Sequence, residues 1–366
     1  MAAYIFLFAG TFAVYMVDYI FRARSDFSVP RRRIEIIFFF AAYILLVAFR
    51  DDTVGADTDR YVFLFNSIKS ESLGTVLRST NVEYGFRILE KLLSYVIKNP
   101  HIYLAVIAVI TLVPIGIMYY RESELPLLAL AMFMAFPASH MAFSGLRQML
   151  SITFIVPAFY LVKNKRLIPF LFVVLAAFFF HQSALIILLL YPVYHLPLKT
   201  ISFAVVLPTI LFVFLYKNVI FQWLIRIMPE NFLEKKEELV DTGGTSFLFM
   251  MVFFVVMSFF MIRKSNIDKE TSGLRNVLFL SAILQCFAPI NTLAMRLNYY
   301  YILLVPFAVC RLLNRCDEDK KPIAVVLSIA LTAFFTFIFF YKGATGNDGL
   351  MIFPYKSCSD LLNQYL

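Results

Sequence analysis

Ile102–Tyr120 reads IYLAVIAVITLVPIGIMYY, nineteen consecutive residues without a charge. A bilayer's hydrocarbon core is about 30 Å thick, and a helix crosses it with roughly 20 apolar residues. This run is therefore a transmembrane helix rather than the buried helix of a soluble core. The rest of the chain repeats the pattern. Candidate spans are Ala3–Phe21, Ile34–Phe49, Ile102–Tyr120, Leu125–Phe143, Leu146–Val162, Leu167–Phe180, Ser183–His195, Ile201–Tyr216, Phe247–Ile262, Val277–Leu293, Tyr299–Leu313 and Ile323–Tyr341. The pair flanking His181 is short, which predicts tilted, broken or re-entrant helices there.

Composition agrees. The 366 residues are 61% hydrophobic and 16% charged, with mean hydropathy +0.79, whereas soluble domains are about 45–50% apolar and about 25% charged. One Trp against 20 Tyr means that an interfacial aromatic belt would rest on tyrosine. The expectation is an all-α polytopic membrane bundle of about twelve spans, forming one integral membrane domain over residues 1–366.

The net charge of +9 would suggest nucleic acid in a soluble protein. Here the cations sit in short loops between apolar runs, with no basic-aromatic patch, so no nucleic-acid partner is expected. The loops Arg22–Arg33, Arg121–Glu124, Lys163–Arg166, Lys199, Arg263–Arg275 and Arg311–Lys321 carry 18 of the 33 cations in few residues. The positive-inside tendency places this set in the cytoplasm and both termini outside. The first apolar run lacks a cationic lead and a small-residue cleavage site, so it reads as a retained helix. Cys286, Cys310, Cys316 and Cys358 show no metal-ligand spacing. Neither a disulfide, a metal nor a cofactor is expected.

Two long loops, about 50–100 and 217–245, and a tail, about 342–366, then face outward. Thr58–Lys69 and Glu83–Lys98 have the apolar spacing of amphipathic helices lying in the outer interface, and Asn218–Glu238 begins the same way. No solenoid repeat is evident. Nor do the two halves resemble each other, as they do in many transporters.

Several charges fall where charge is expensive. Six charged residues lie in the stretch Arg50-Asp51-Asp52-Thr53-Val54-Gly55-Ala56-Asp57-Thr58-Asp59-Arg60. Gly55 permits a tight turn, and Asp57 or Thr58 is placed to cap the next helix. The stretch reads either as a solvated loop or as a pocket rim with Arg50 binding an anion. Arg147 occupies a tight outer turn, where it could snorkel or face inward and hold phosphate with its planar guanidinium. His181 is in another such turn, as a hydrogen-bonded structural residue or a proton carrier, and His140 is a weaker candidate of the same kind. Arg296 precedes a tyrosine cluster, Tyr299-Tyr300-Tyr301, which suits an interfacial belt or a sugar platform. An unpaired charge within the membrane costs about 2.5–3.5 kcal/mol on insertion scales. Several on one face therefore point to an anion site. Phosphate-binding glycine loops, H-E-x-x-H and G-x-S-x-G are missing, so the energy for any chemistry comes with the substrate.

The run F-R-x(4)-G-x-D-T-x-x-Y (Phe49, Arg50, Gly55, Asp57, Thr58, Tyr61) resembles the EpsG branch of the Wzy-type polysaccharide polymerases. So do Glu83-Tyr84-Gly85-Phe86, Leu146-Arg147-Gln148, Phe180-His181-Gln182-Ser183-Ala184, Arg296 followed by Tyr299 and Tyr300, and Phe353-Pro354-Tyr355. The resemblance implies a metal-independent GT-C-like glycosyltransferase at the outer face of a bacterial inner or plasma membrane. It implies joining of undecaprenyl-diphosphate-linked oligosaccharide repeat units, with the lipid diphosphate leaving. A chain-length regulator protein is an optional partner. On this reading Arg147, Arg296 and then Arg50 stabilise the departing diphosphate. Asp57, Glu83 and His181 are the acid–base candidates, and Tyr61, Tyr299, Tyr300 and Tyr355 contact substrate. The rivals are an O-antigen ligase-like transferase, which uses the same donor, and a transporter or flippase of lipid-linked oligosaccharide. A membrane acyltransferase ranks last, because His181 falls at a helix end.

Overall fold

The computed structural model describes residues 1–24, 33–78, 83–197, 203–227, 244–263, 266–290, 292–346 and 349–358. Among them there is no strand, only an isolated bridge between Arg50 and Ser357. The helices are α1 (Ala2–Arg24), α2 (Ile34–Ala48), α3 (Thr58–Ser70), α4 (Leu73–Arg78), α5 (Tyr84–Val96), α6 (Pro100–Glu122), α7 (Pro126–Ala135), α8 (Pro137–His140), α9 (Leu146–Thr153) and α10 (Ile155–Lys163). They continue with α11 (Leu167–Phe180), α12 (Leu190–His195), α13 (Phe203–Leu215), α14 (Lys217–Ile227), α15 (Gly244–Met261), α16 (Lys269–Gln285), α17 (Thr292–Ile302), α18 (Val305–Asn314) and α19 (Lys321–Thr345). A 3-10 helix, Gln182–Leu189, leads into α12.

Among the described residues, five helical stretches are long and apolar enough to cross a bilayer, and two bent pairs raise the number to seven. Shorter apolar helices occupy most of the other expected spans. Three expected spans are corrected. Leu125–Phe143 breaks at Phe136, which is extended (φ −88°, ψ 143°) before Pro137; proline cannot continue the hydrogen-bond ladder and disfavours helix before it. Val277–Leu293 is displaced: α16 starts at Lys269 because Asp268 caps it, accepting from Thr271 N at 2.7 Å, and it ends at Gln285. Tyr299–Leu313 is two helices, α17 and α18, bent by 44° just before Pro306. The polar half of 218–238 and the tail beyond 358 lie outside the described residues.

The chain divides into two compact units. The first comprises Met1–Ala158, Leu171–Leu185 and Ala330–Leu366, and the second Phe159–Phe170 and Ile186–Ile329. In the first, an aromatic core of Phe39, Phe40, Tyr43, Tyr119 and Phe133 joins α2, α6 and α7, with ring centroids 5.2–6.2 Å apart. The segment after α19 returns to this unit. Tyr4, near the start of α1, donates to Ile352 O (3.1 Å), and Tyr355 donates to Leu46 O near the end of α2 (3.1 Å). The start of α1, the end of α2 and the tail thus lie at one level.

In the second unit α16 packs against α12, α13, α15, α17 and α18. Asn298 donates to Ser281 O (3.1 Å) and to Gln285 Oε1 (2.9 Å), and Gln285 donates to Gly244 O (3.1 Å), so α15, α16 and α17 share a buried, hydrogen-bonded seam. Ion pairs gather Lys163 with Glu270 (2.6 Å), and Arg311 with Asp268 and Glu270 (3.3 Å each). Arg263 pairs with Asp319 (3.1 Å). All six residues come from loops assigned to the cytoplasm by charge.

Candidate functional site

The site of the first unit is built by two close approaches. Gly55 has φ +96°, and a Cβ there would sit 2.4 Å from Phe143 O. Only glycine lets the loop after α2 press against the turn before α9. Gly85 does the same for the start of α5, where a Cβ would fall 2.7 Å from Phe179 O at the end of α11. These contacts bring four remote stretches together, at 50–61, 83–90, 144–147 and 179–183.

Glu83 is the N-cap residue of α5, but its carboxylate does not cap. It accepts instead from Arg147 Nη1 at 2.7 Å, with both side chains partly exposed (15% and 27%). Burial acts to raise the Glu83 pKa, but the Arg147 guanidinium and His181 outweigh it and hold the carboxyl below its usual range. Arg147 also hydrogen-bonds the Tyr61 hydroxyl. Burial raises the Tyr61 pKa, opposed by Arg147. Asp57 occupies the N-cap position of α3 without a side-chain cap bond, contrary to the expected role, and accepts from Ser144 Oγ at 3.4 Å. His181 Nδ1 lies 2.6 Å from Ser183 Oγ and accepts from Ser183 N (3.3 Å), capping the 3-10 helix.

Arg50 is fully buried, at 0% exposure. Its Nε donates to Thr58 Oγ1 (3.3 Å) and its Nη1 to Val47 O, while Nη2 has no partner among the described residues. Burial lowers its pKa to about 10, so it remains cationic at neutral pH. Its loop is held by the returning tail: Asp51 N and Gly55 N donate to Lys356 O (3.0 Å) and Met351 O (2.8 Å), and Cys358 N donates to Phe49 O (2.8 Å). Tyr355 belongs to this tail, half-buried through its bond to Leu46.

Five predicted site residues, Asp57, Tyr61, Glu83, Arg147 and His181, therefore form one cluster, with Arg50 on the same loop as Asp57. Arg296, Tyr299 and Tyr300 belong to the second unit. Arg296 is partly exposed, and Tyr299 and Tyr300 are buried at 2% and 0%. His140 is buried, with Nε2 on Met134 O at 2.7 Å, a structural bond.

Two members were missed by sequence reasoning. Tyr103 stacks on Phe65 (4.2 Å, 8°) and donates to Glu90 Oε1 at 2.9 Å. Burial raises Glu90 to about 8, and both the Tyr103 bond and Arg147 oppose the rise. The available signal was the polar stripe Arg87, Glu90, Lys91 and Ser94 at helical spacing. Among the described residues no group of three His, Cys, Asp or Glu is placed to hold a metal.

The EpsG family model, a family of polysaccharide polymerase-like proteins, matches residues 33–357. The chain belongs to the EpsG family. No curated protein and no solved structure matches it. The EpsG match begins at Arg33, just before α2, and ends at Ser357 of the returning tail, so it takes in both sides of the Arg50–Ser357 bridge. Membership makes this EpsG protein a membrane protein of polysaccharide-polymerase type, with glycosyltransferase-like activity in the general sense.

Proposed function

We propose that this EpsG protein joins undecaprenyl-diphosphate-linked oligosaccharide repeat units at the extracytoplasmic face of a bacterial inner or plasma membrane. It does so through a GT-C-like bundle of about twelve spans, with no metal. One observation carries the reading: the family-like stretches around Arg50, Asp57, Glu83, Arg147 and His181, far apart in sequence, fold into one partly exposed cluster of cations and carboxylates. Arg147 and Arg50 stabilise the departing diphosphate. Positioned guanidinium groups suit this role because charge develops on the leaving oxygens as the glycosidic bond forms. Asp57, Glu83 and His181 hold the acceptor sugar, with Tyr61 and Tyr355 on substrate.

The topology has support of its own. The start of α1 and the segment after α19 touch each other, as two termini on one membrane face would. The ion-paired loops of the second unit share one side, as cytoplasmic loops would. The test is polymerisation by purified protein supplied with lipid-linked repeat units. The expected product is a ladder, abolished by Arg147→Ala in protein that elutes normally on size exclusion. Single capping of a foreign acceptor would identify a ligase, and movement of substrate without bond formation a flippase.

A further inference from the structure

The polymerase reading needs a group to take the proton of the acceptor hydroxyl, and the histidines differ in their freedom to do so. His140 Nε2 is on Met134 O (2.7 Å) and His195 Nε2 on Val162 O (2.9 Å), so each is fixed as a donor to a carbonyl. His181 accepts the Ser183 amide on Nδ1 (3.3 Å), which leaves the proton of its neutral form on Nε2. His181 Nδ1 is thus taken up by Ser183, and the nearby Glu83 is itself occupied by Arg147. His101 differs from all three. Among the described residues its ring makes no hydrogen bond, although Nδ1 is buried.

What faces His101 Nδ1 is Asp52 Oδ1, 3.8 Å away, also buried and without a hydrogen-bond partner. Asp52 in turn interacts electrostatically with Arg50, whose Nη2 is the third unpartnered buried atom of this corner. An unpaired buried polar group costs about 1–3 kcal/mol. Three from neighbouring residues suit a polar ligand that satisfies them together. The positions are fixed by the fold. Asn99 caps α6 by accepting from His101 N (2.8 Å), which sets His101 in the first turn, and the returning tail binds Asp51 N beside Asp52. The His101 side chain is 13% exposed, enough to be reached, and that of Asp52 41%.

Resting on the polymerase reading, we propose that His101 is the general base of the transfer and Asp52 its orienting carboxylate, beside Arg50 as the anion-binding group. His101 Nε2 takes the proton of the acceptor hydroxyl as that oxygen bonds to the anomeric carbon. The bond from the anomeric carbon to the diphosphate oxygen breaks, and the lipid diphosphate leaves with the electron pair. Asp52 stabilises the imidazolium until the proton passes to water or to the leaving group. Catalytic hydrogen bonds are often long without substrate and tighten on binding, as the 3.8 Å gap requires.

The experiment is the in vitro polymerisation assay with purified full-length protein and lipid-linked repeat units, run across pH. His101→Gln is expected to lower kcat by about 10²–10⁴-fold, the usual contribution of a general base, with less change in KM. His101→Gly is expected to recover part of the loss with added imidazole. Asp52→Asn removes a charge that favours the imidazolium, so the acid limb of kcat moves to lower pH. The other charged groups facing Asp52 (Arg50, Asp51, Asp59) and the Lys356 that faces Asp51 are unchanged in that variant. A misfolded variant would show neither imidazole rescue nor a displaced limb. Wild-type kcat in His101→Gln, or an unmoved limb in Asp52→Asn, overturns the assignment while wild-type ladder formation keeps the polymerase reading. No ladder from the wild type overturns both.

Discussion

Glu90 shows how single residues of the site carry pH dependence. It is a buried acid, and burial raises its pKa to about 8, with the Tyr103 hydroxyl and Arg147 the groups that face it. In the unfolded chain the carboxyl titrates near its ordinary value, about 4.3. Between these two values the folded state holds a proton that the unfolded state has lost, so this group's contribution falls as pH rises. The contribution is intact below the unfolded value and fully lost above the folded one. Glu90→Gln is accordingly expected to raise the melting temperature more at pH 8.5 than at pH 5.5, read by thermal unfolding in detergent. Little of this was legible in sequence. Glu90 sits in a helix whose apolar residues suggest an interfacial face, and only the fold turns Arg87, Glu90, Lys91 and Ser94 inward. Arg147 and Glu83 were individually visible, but their pairing depends on Gly85 meeting Phe179 O, a long-range approach that periodicity does not encode.

At the scale of elements, α5 shows why. Its apolar residues form two stripes. Phe86, Leu89 and Leu93 pack inward against Tyr61, Phe65 and Tyr103, while Tyr84, Ile88, Leu92, Tyr95 and Val96 are exposed. The inward charges are absorbed by helix ends: Arg87 donates to Val76 O (2.6 Å) in α4, and Lys91 to Ile68 O (3.1 Å) in α3. The interfacial helix was readable; which face carried the charges inward was not. The C-terminal segment was legible only as a tail with an aromatic-proline motif. It is a structural strap for the Arg50 loop, because backbone donors of Asp51, Gly55 and Ala56 find their acceptors there. Truncation after Gly346 is expected to leave a membrane-inserted protein with at least a tenfold loss of polymer formation. It is also expected to lower the melting temperature, since each lost hydrogen bond costs about 0.5–1.5 kcal/mol. Full activity in the truncated protein would show that the strap does not hold the loop for catalysis.

For the whole molecule, hydropathy alone gave an all-helical membrane protein, because twenty-residue apolar runs have one physical explanation. It was less good at counting. Pro137 and Pro306 break apolar runs that read as continuous, and the Asp268 cap draws α16 eight residues toward its polar side. The candidate site was half legible: Arg50, Asp57, Tyr61, Glu83, Arg147 and His181 were named, whereas Asp52 looked like one more acid of a loop and His101 like the edge of a span. The central claim is that the cluster built on α3, α5 and α9, with Arg50 beside it, receives a lipid diphosphate. Equilibrium binding of undecaprenyl diphosphate to the purified protein tests it most directly. Arg147→Ala and Arg50→Gln are each expected to weaken binding at least tenfold, about 1.4 kcal/mol or more, with normal size-exclusion behaviour. Unchanged affinity in both variants would contradict the account.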